Sequence, residues 1–268
     1  MLYPLLASLY FAFCDYSVLK APVFTGLENF KDLFHDEVFW IVLKNTAIFT
    51  AIFLPLGLIL SLGMAMLLNL KVKGQAFYRT IFYLPSLMPL VATAVLFLTL
   101  FNSDSGLINI ALKGMHLPAP DWLASPAWSK PSIVLLSMWG VGNTMIIYLA
   151  GLQEVPQSLY EAAELDGAKA WAKTLNVTLP MISPVILFNL IIGIINSVQI
   201  FTLPYVMFPN GAPARSTYFY TSYLYDSAFK YHKMGYACAM GWIMFIIIFA
   251  LTLLSFRASN KHVYYGGS

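Results

Sequence analysis

The chain has 268 residues, of which 59% are hydrophobic and 10% charged, and its net charge is +3. A soluble domain carries about a quarter charged residues, so there is too little polar surface here to coat a water-soluble globule. These figures argue against a lone soluble enzyme, and the small, scattered positive charge argues against a nucleic-acid binder.

A membrane crossing needs about 20 apolar residues, so the length allows about six helices with short loops. Leu2 to Phe13 is apolar but, at twelve residues, too short to cross. It has no basic flank and no small-residue cleavage site, so a signal peptide fits poorly. The expectation is a first helix whose true start lies upstream or was trimmed. Leu27, Phe30, Leu33, Phe34, Val38 and Ile41 then recur at helical spacing, with Lys31, Asp32, Asp36 and Glu37 in the gaps. That pattern fits an amphipathic helix lying on the membrane, and equally a loop helix packed on its own protein. Five stretches without Asp, Glu, Lys or Arg follow, at 45–70, 80–103, 131–153, 181–214 and 234–256. An ionised group buried in a bilayer costs several kcal/mol, so these stretches are predicted as spans two to six. The fifth is expected to leave the membrane near Pro204, where Pro204, Pro209, Asn210, Gly211 and Pro213 cluster. The predicted fold is all-α: a polytopic helical membrane protein of about six transmembrane helices, the first incomplete. Residues 1–268 are read as one transmembrane domain.

Orientation is not decided by charge. If the 71–79 loop is cytoplasmic, Lys71, Lys73, Arg79, Lys169, Lys173, Arg257 and Lys261 lie inside. Lys20, Lys31, Lys44, Lys113, Lys130, Arg215, Lys230 and Lys233 then lie outside, and seven against eight settles nothing. The missing groups are more informative. The charge-free stretches hold no acid or base, and His35, His116, His232 and His262 fall in predicted loops or the tail. That argues against a proton-coupled carrier. There is no Gly-Lys pair, hence no Walker A cradle for ATP, and no nucleophile elbow or His-Glu-x-x-His. No catalytic residue is predicted, and the chain is not read as an enzyme. Cys14 and Cys238 form no disulfide framework and no metal motif and are read as packing residues. A membrane channel and a permease driven by another subunit remain.

The most informative stretch is 151–180, between spans four and five. Ser158 and Glu161 have the spacing of a capping box, so a helix is expected to start there and continue through Leu159, Ala162, Ala163 and Leu165. Gly167 is a natural break, and Ala168 to Leu175 can form a second short helix before Pro180. Two short helices around a glycine make a compact projecting knob, or simply a surface hairpin.

Glu161-Ala162-Ala163, three residues, Gly167, nine residues, Val177, Thr178 and Leu179-Pro180 resemble the EAA motif of binding-protein-dependent ABC importer permeases, with Val177 in place of isoleucine. Tyr3-Pro4-Leu5, Gly26 to Phe30, Arg79-Thr80, Leu84-Pro85, Asp121-Trp122-Leu123 and Ala150 to Gln153 are similar to the carbohydrate-importer branch. The nearest type is the first permease of maltose-like and glycerol-3-phosphate-like systems. The resemblance implies a cytoplasmic coupling loop, cytoplasmic termini and a place in the bacterial inner membrane. Its implied partners are a second permease, two ATPase subunits that bind the ATP and Mg, and an extracytoplasmic solute-binding protein. Glu161 would pair with a basic group of the ATPase, or serve only the capping box. Gly167 would allow the turn at the contact, and Asp166 would cap the second helix or face the ATPase. Ala162 and Ala163 would permit close approach.

The substrate path is expected to use polar groups within spans. Asn189, Gly193 and Asn196 share a helical stripe in span five, with Gln199 at its edge. Amides there can bond sugar hydroxyls or neighbouring helices. In span four, Trp139 and Asn143 share a face, while Ser137, Gly140 and Thr144 form another. Gly57, Ser61 and Ala65 in span two make a close-packing face. The outer loop Pro209 to Thr217 resembles the family's external loop facing the binding protein. Tyr218, Tyr220, Tyr223 and Tyr225 beyond it fit an aromatic interfacial belt. The leading function is ATP-driven import of a sugar or oligosaccharide. The alternatives are a glycerol-phosphate or polyol-phosphate importer, an acidic-oligosaccharide importer, and an ATP-independent channel. Because the spans lack basic residues, a neutral ligand is favoured.

Overall fold

The structure, a computed structural model, describes residues 2–70 and 73–259. Lys71, Lys261 and His262 of the sequence reading lie outside the described residues. The helices are α1 (Leu2–Ala12), α2 (Glu28–His35), α3 (Glu37–Asn69), α4 (Gln75–Tyr83), α5 (Leu90–Leu100), α6 (Leu107–Gly114), α7 (Ser129–Trp139), α8 (Gly142–Gln153), α9 (Gln157–Leu165), α10 (Ala170–Lys173), α11 (Leu179–Met181), α12 (Ser183–Val198), α13 (Thr202–Met207), α14 (Tyr220–Tyr225) and α15 (Met234–Ser259). Strands β1 (Cys14–Asp15) and β2 (Val23–Phe24) pair antiparallel, Cys14 opposite Phe24.

α3, the run Ser183–Met207 and α15 are each long and apolar enough to cross a membrane. Two further candidate spans are bent pairs, Gln75–Leu87 with Leu90–Leu100 and Ser129–Trp139 with Gly142–Gln153. With the short apolar α1 they correspond to the elements expected from composition. Three details differ. The amphipathic pattern over 27–41 is not one helix. Asp36 ends α2 in extended backbone, and its Oδ1 accepts the Val38 N–H at 2.8 Å, so α3 starts there and takes Val38 and Ile41 with it. The stretch 80–103 is not one straight crossing. Met88 is extended (ψ 138°) ahead of Pro89, because a residue before proline is pushed out of the helical region. The fifth stretch breaks at 199–201 and resumes as α13, which runs past Pro204 to Met207, since Pro204 sits in its first turn, where its missing N–H is not needed.

The chain divides into two compact units. One comprises 1–51, 89–134 and 196–250, the other 52–88, 135–195 and 251–268. The core of the first gathers Leu33, Phe39, Val42, Tyr218, Tyr220, Tyr236 and Met240. Its tyrosines are not an interfacial belt. Tyr218 and Tyr220 are buried, Tyr223 is partly buried, and Tyr225 is 38% exposed. The hydroxyls of Tyr218, Tyr220 and Tyr223 each have an internal acceptor, which removes the penalty of burying them. Tyr220 donates to the Met240 carbonyl at 2.8 Å, and Tyr218 to the Asp226 carboxylate at 2.6 Å. Tyr223 and Tyr236 both donate to Asp36, the second at 2.8 Å. In the same unit Asn29 Nδ2 bridges the Ala12 and Cys14 carbonyls at 3.0 and 2.8 Å. Cys14 and Cys238 are both free thiols.

The second unit packs around Ala65, Leu68, Met145, Tyr148, Leu149, Leu152 and Ile182. Ser61 and Ala65 are fully buried there, and Ser61 donates to the Gly57 carbonyl at 2.6 Å. That agrees with a close-packing use of the small residues in α3.

Gly235 opens α15 where the first unit leaves no room for a side chain. A Cβ there would lie 2.1 Å from the Cys14 carbonyl oxygen and 3.1 Å from that of Phe11. Both obstacles are backbone, so they cannot swing aside. Gly235→Ala is expected to cost about 1–3 kcal/mol through overpacking and to lower the thermal midpoint of the detergent-purified protein. An unchanged midpoint would contradict the close approach.

Candidate functional site

Residues 151–180 belong wholly to the second unit. Val155 and Leu179 pack against its core at the two ends of the loop, so the knob rests on a firm base. α9 begins at Gln157, with Pro156 in extended backbone as its N-cap and no side-chain cap bond. The Ser158–Glu161 capping box is therefore not formed. Proline already sets the entry dihedral (φ −60°), which puts Ser158 inside the first turn. The end of α9 follows the Schellman pattern. The Ala168 N–H bonds the Ala163 carbonyl at 2.8 Å and the Gly167 N–H bonds the Glu164 carbonyl at 3.0 Å. Gly167 takes the left-handed conformation this requires, φ +75°.

Asp166 is the residue that closes α9, and Lys169 in extended backbone precedes α10. Asp166 therefore does not cap the second helix. That helix is a single turn, Ala170–Lys173, continued by a π turn at Thr174–Thr178 rather than a regular helix to Leu175. The two arms are tied by Tyr160 Oη with Thr178 Oγ1 at 3.0 Å and by Lys173 with Glu164 at 2.7 Å. Glu161, Ala162, Asp166 and Gly167 are exposed and Ala163 is partly covered. Leu165 is 90% and Trp171 72% exposed, either side of Gly167. Sequence reasoning took Leu165 only as a helix former and passed over Trp171. Their signal was large apolar residues in a segment whose other neighbours are small or charged.

The path candidates are not one uniform surface. Asn189 is buried beside Tyr148. Gly193 is a packing position, since a Cβ there would meet the Leu54 side chain at 2.5 Å. Asn196 and Gln199 are exposed and belong to the first unit, with Gln199 just past the end of α12. Trp139 is half-buried at the end of α7 and Asn143 is exposed in the first turn of α8. The helix breaks between them at Gly140–Val141, so the expected shared face of Trp139 and Asn143 is not carried by helical phase.

The family model described as binding-protein-dependent transport system inner membrane component matches residues 37–263. The probable ABC transporter permease protein YesP of Bacillus subtilis is 39% identical over 266 residues, covering 98% of this chain and 86% of that one. The lactose transport system permease protein LacF of Rhizobium radiobacter is 34% identical, covering 97% and 89%. Among solved structures, a bacterial ABC transporter involved in import of the acidic polysaccharide alginate matches with TM-score 0.85 at 26% identity, covering 97% and 90%. The same fold likeness (0.85, 25% identity, 97% and 89%) holds for the alginate transporter in complex with an alginate pentasaccharide-bound periplasmic protein.

The Lys173 contact leads to an expected acid sensitivity of the knob. The hydrogen bond from Lys173, and its charge, hold the Glu164 carboxyl below the ordinary glutamate range. A lowered carboxylate contributes its contact above the ordinary range and loses it as pH falls through the lowered value. Amide exchange over 157–173, referred to an unstructured peptide, should therefore speed up between neutral pH and about pH 3. Glu164→Gln should flatten that dependence. Equal acid sensitivity in both chains would show that the pair does not hold the arms together.

Proposed function

The chain belongs to the family of binding-protein-dependent transport system inner membrane components, a multi-pass membrane transport component, and we propose that it carries a sugar or oligosaccharide through an ATP-driven importer. The observation that carries this reading is the knob at 157–173: a Schellman-terminated helix with an exposed EAA-type pattern, seated on the core of its unit. A passive channel has no use for such a projection. The lactose and alginate systems named above support the sugar class for this chain.

In this reading the knob faces the cytoplasm and docks into a cleft of an ATPase subunit. Both termini are cytoplasmic, and the loops at 14–44, 102–130 and 204–234 lie outside. A second permease completes the translocation path, and a solute-binding protein delivers the ligand from outside. The alginate complex with its periplasmic protein supports that last partner. ATP and Mg belong to the ATPase subunits. Leu165 and Trp171 would supply the apolar part of the docking contact and Glu161 a charge for a basic group across it. Closure of the ATPases would draw the knobs together and move the attached helices as packed bodies. Asn143, Asn196 and Gln199 are the amides left accessible for sugar hydroxyls. Asn189, Gly193 and Trp139 would shape the path from within the packing.

Two measurements test this. In nanodiscs holding the complete complex and its binding protein, one sugar of a panel should stimulate ATP hydrolysis. Passive solute flux with no ATPase co-purifying would replace the importer by a channel. Gly167→Asp should reduce uptake at least about tenfold while the protein still reaches the membrane. A Cβ at Gly167 meets nothing within 4 Å, and aspartate tolerates left-handed backbone better than most residues. The loss would therefore report the contact rather than misfolding. Normal uptake by this variant would sink the coupling role.

A further inference from the structure

Three cations of the first unit are carried by segments that meet although the sequence scatters them. Lys44 lies near the start of α3, Lys130 in the first turn of α7, and Arg215 in the loop 209–217. Buried polar groups pin these segments to one another. Asn45, next to Lys44, donates its amide to the carbonyls of Arg215 at 2.8 Å and Tyr218 at 2.9 Å. Ser129, next to Lys130, shares a hydrogen bond of 2.8 Å with Ser216, next to Arg215. Asn45 and Ser129 are 5% and 0% exposed, so this is a built junction rather than a chance crossing of surface chains. Lys44 and Lys130 are close enough for their charges to repel. Ala214 and Arg215 are both left-handed, φ +49° and +56°. Backbone of that kind persists only where its surroundings over-determine it.

No carboxylate neutralises this junction among the described residues, whose one ion pair joins Lys173 to Glu164 in the other unit. Asp36, Asp121 and Asp226 of the same unit are satisfied by the neutral donors Tyr223, Ser103 and Tyr218. Like charges held together without a counter-ion cost free energy, which an arriving anion relieves. Under the proposed topology the beginnings of α3 and α7 and the loop 209–217 all lie at the outer face.

We propose that Lys44, Lys130 and Arg215 form an entry site for the carboxylates of an acidic oligosaccharide, so that this importer takes uronate-containing chains in preference to neutral ones. This rests on the importer reading and narrows its substrate class. It also revises the expectation of a neutral ligand. The spans lack basic residues in their middles, but the cations stand at their outer ends, which a count of charge-free stretches does not see.

The test uses the full complex in proteoliposomes, with its binding protein, supplied with uronate tetrasaccharides (galacturonate, mannuronate and guluronate) and with maltotetraose and cellotetraose. A uronate should drive ATP hydrolysis and uptake. Lys130→Gln and Lys44→Gln should each raise the half-saturating uronate-loaded binding protein concentration about tenfold, and Lys130→Arg should retain most of the response. Binding of labelled uronate to the complex without its binding protein should weaken in step. Stimulation by neutral chains alone overturns the inference while leaving the importer reading intact. If labelled uronate binding is unchanged in both glutamine variants while delivery fails, the cluster docks the binding protein and the inference is also overturned. If no sugar stimulates hydrolysis at all, the importer reading falls and this inference falls with it.

Discussion

A backbone amide inside a bilayer has no water to bond, so each one must be satisfied within the protein. For this chain that means helices. α3, α12 with α13, and α15 carry long apolar surfaces that the protein itself leaves open, and only lipid or a partner subunit makes such a surface stable. Helicity is interrupted at several places between and within the apolar stretches. Proline supplies several of them, because it has no N–H to lose. Pro89 starts α5, Pro156 starts α9, and Pro204 sits in the first turn of α13.

The same constraint governs the side chains. A carboxylate near hydrocarbon is tolerable when hydrogen-bond donors surround it. Asp226 is 2% exposed and accepts the Tyr218 hydroxyl, and Asp36 accepts two tyrosines. These phenols are the reason the tyrosine run after residue 217 turns inward. A tyrosine belongs at a membrane interface when its hydroxyl needs water, and these hydroxyls do not. The cations follow the opposite course. Lys44, Lys130 and Arg215 have no acid partner among the described residues, and that imbalance is what makes their junction chemically informative.

The coupling role proposed for the knob asks something different of the fold. A projecting loop passes on a push only if its base is packed and its tip is defined. Val155 and Leu179 provide the base by packing on the core around Tyr148 and Ile182. The tip is defined by hydrogen bonds that close α9 over Gly167, and by the Tyr160–Thr178 and Lys173–Glu164 ties between its arms. The exposed Leu165 and Trp171 then offer a partner apolar contact on a rigid support. The knob combines a local backbone motif with a tertiary anchor, and neither alone would make a lever.

The amino-acid sequence by itself determined the class of the molecule, its apolar segments and the place of the loop 151–180 for which a coupling role is proposed. Those are properties of composition, of charge-free length and of a spaced motif, all written along the chain. It also determined that the loop turns at Gly167, because a Schellman end is built from neighbours within two turns. Only the structure decided how α9 begins, since Ser158 was the expected cap and backbone geometry put Pro156 in that place. Only it showed that Gly193 is filled by Leu54, that Trp139 and Asn143 are separated by a break, and that the tyrosines face inward. The junction of Lys44, Lys130 and Arg215 is the extreme case, because Asn45 and Arg215 are 170 residues apart. Periodicity and spacing report what a residue's own helix does, whereas its partners across the fold are set by the mutual packing of many helices at once.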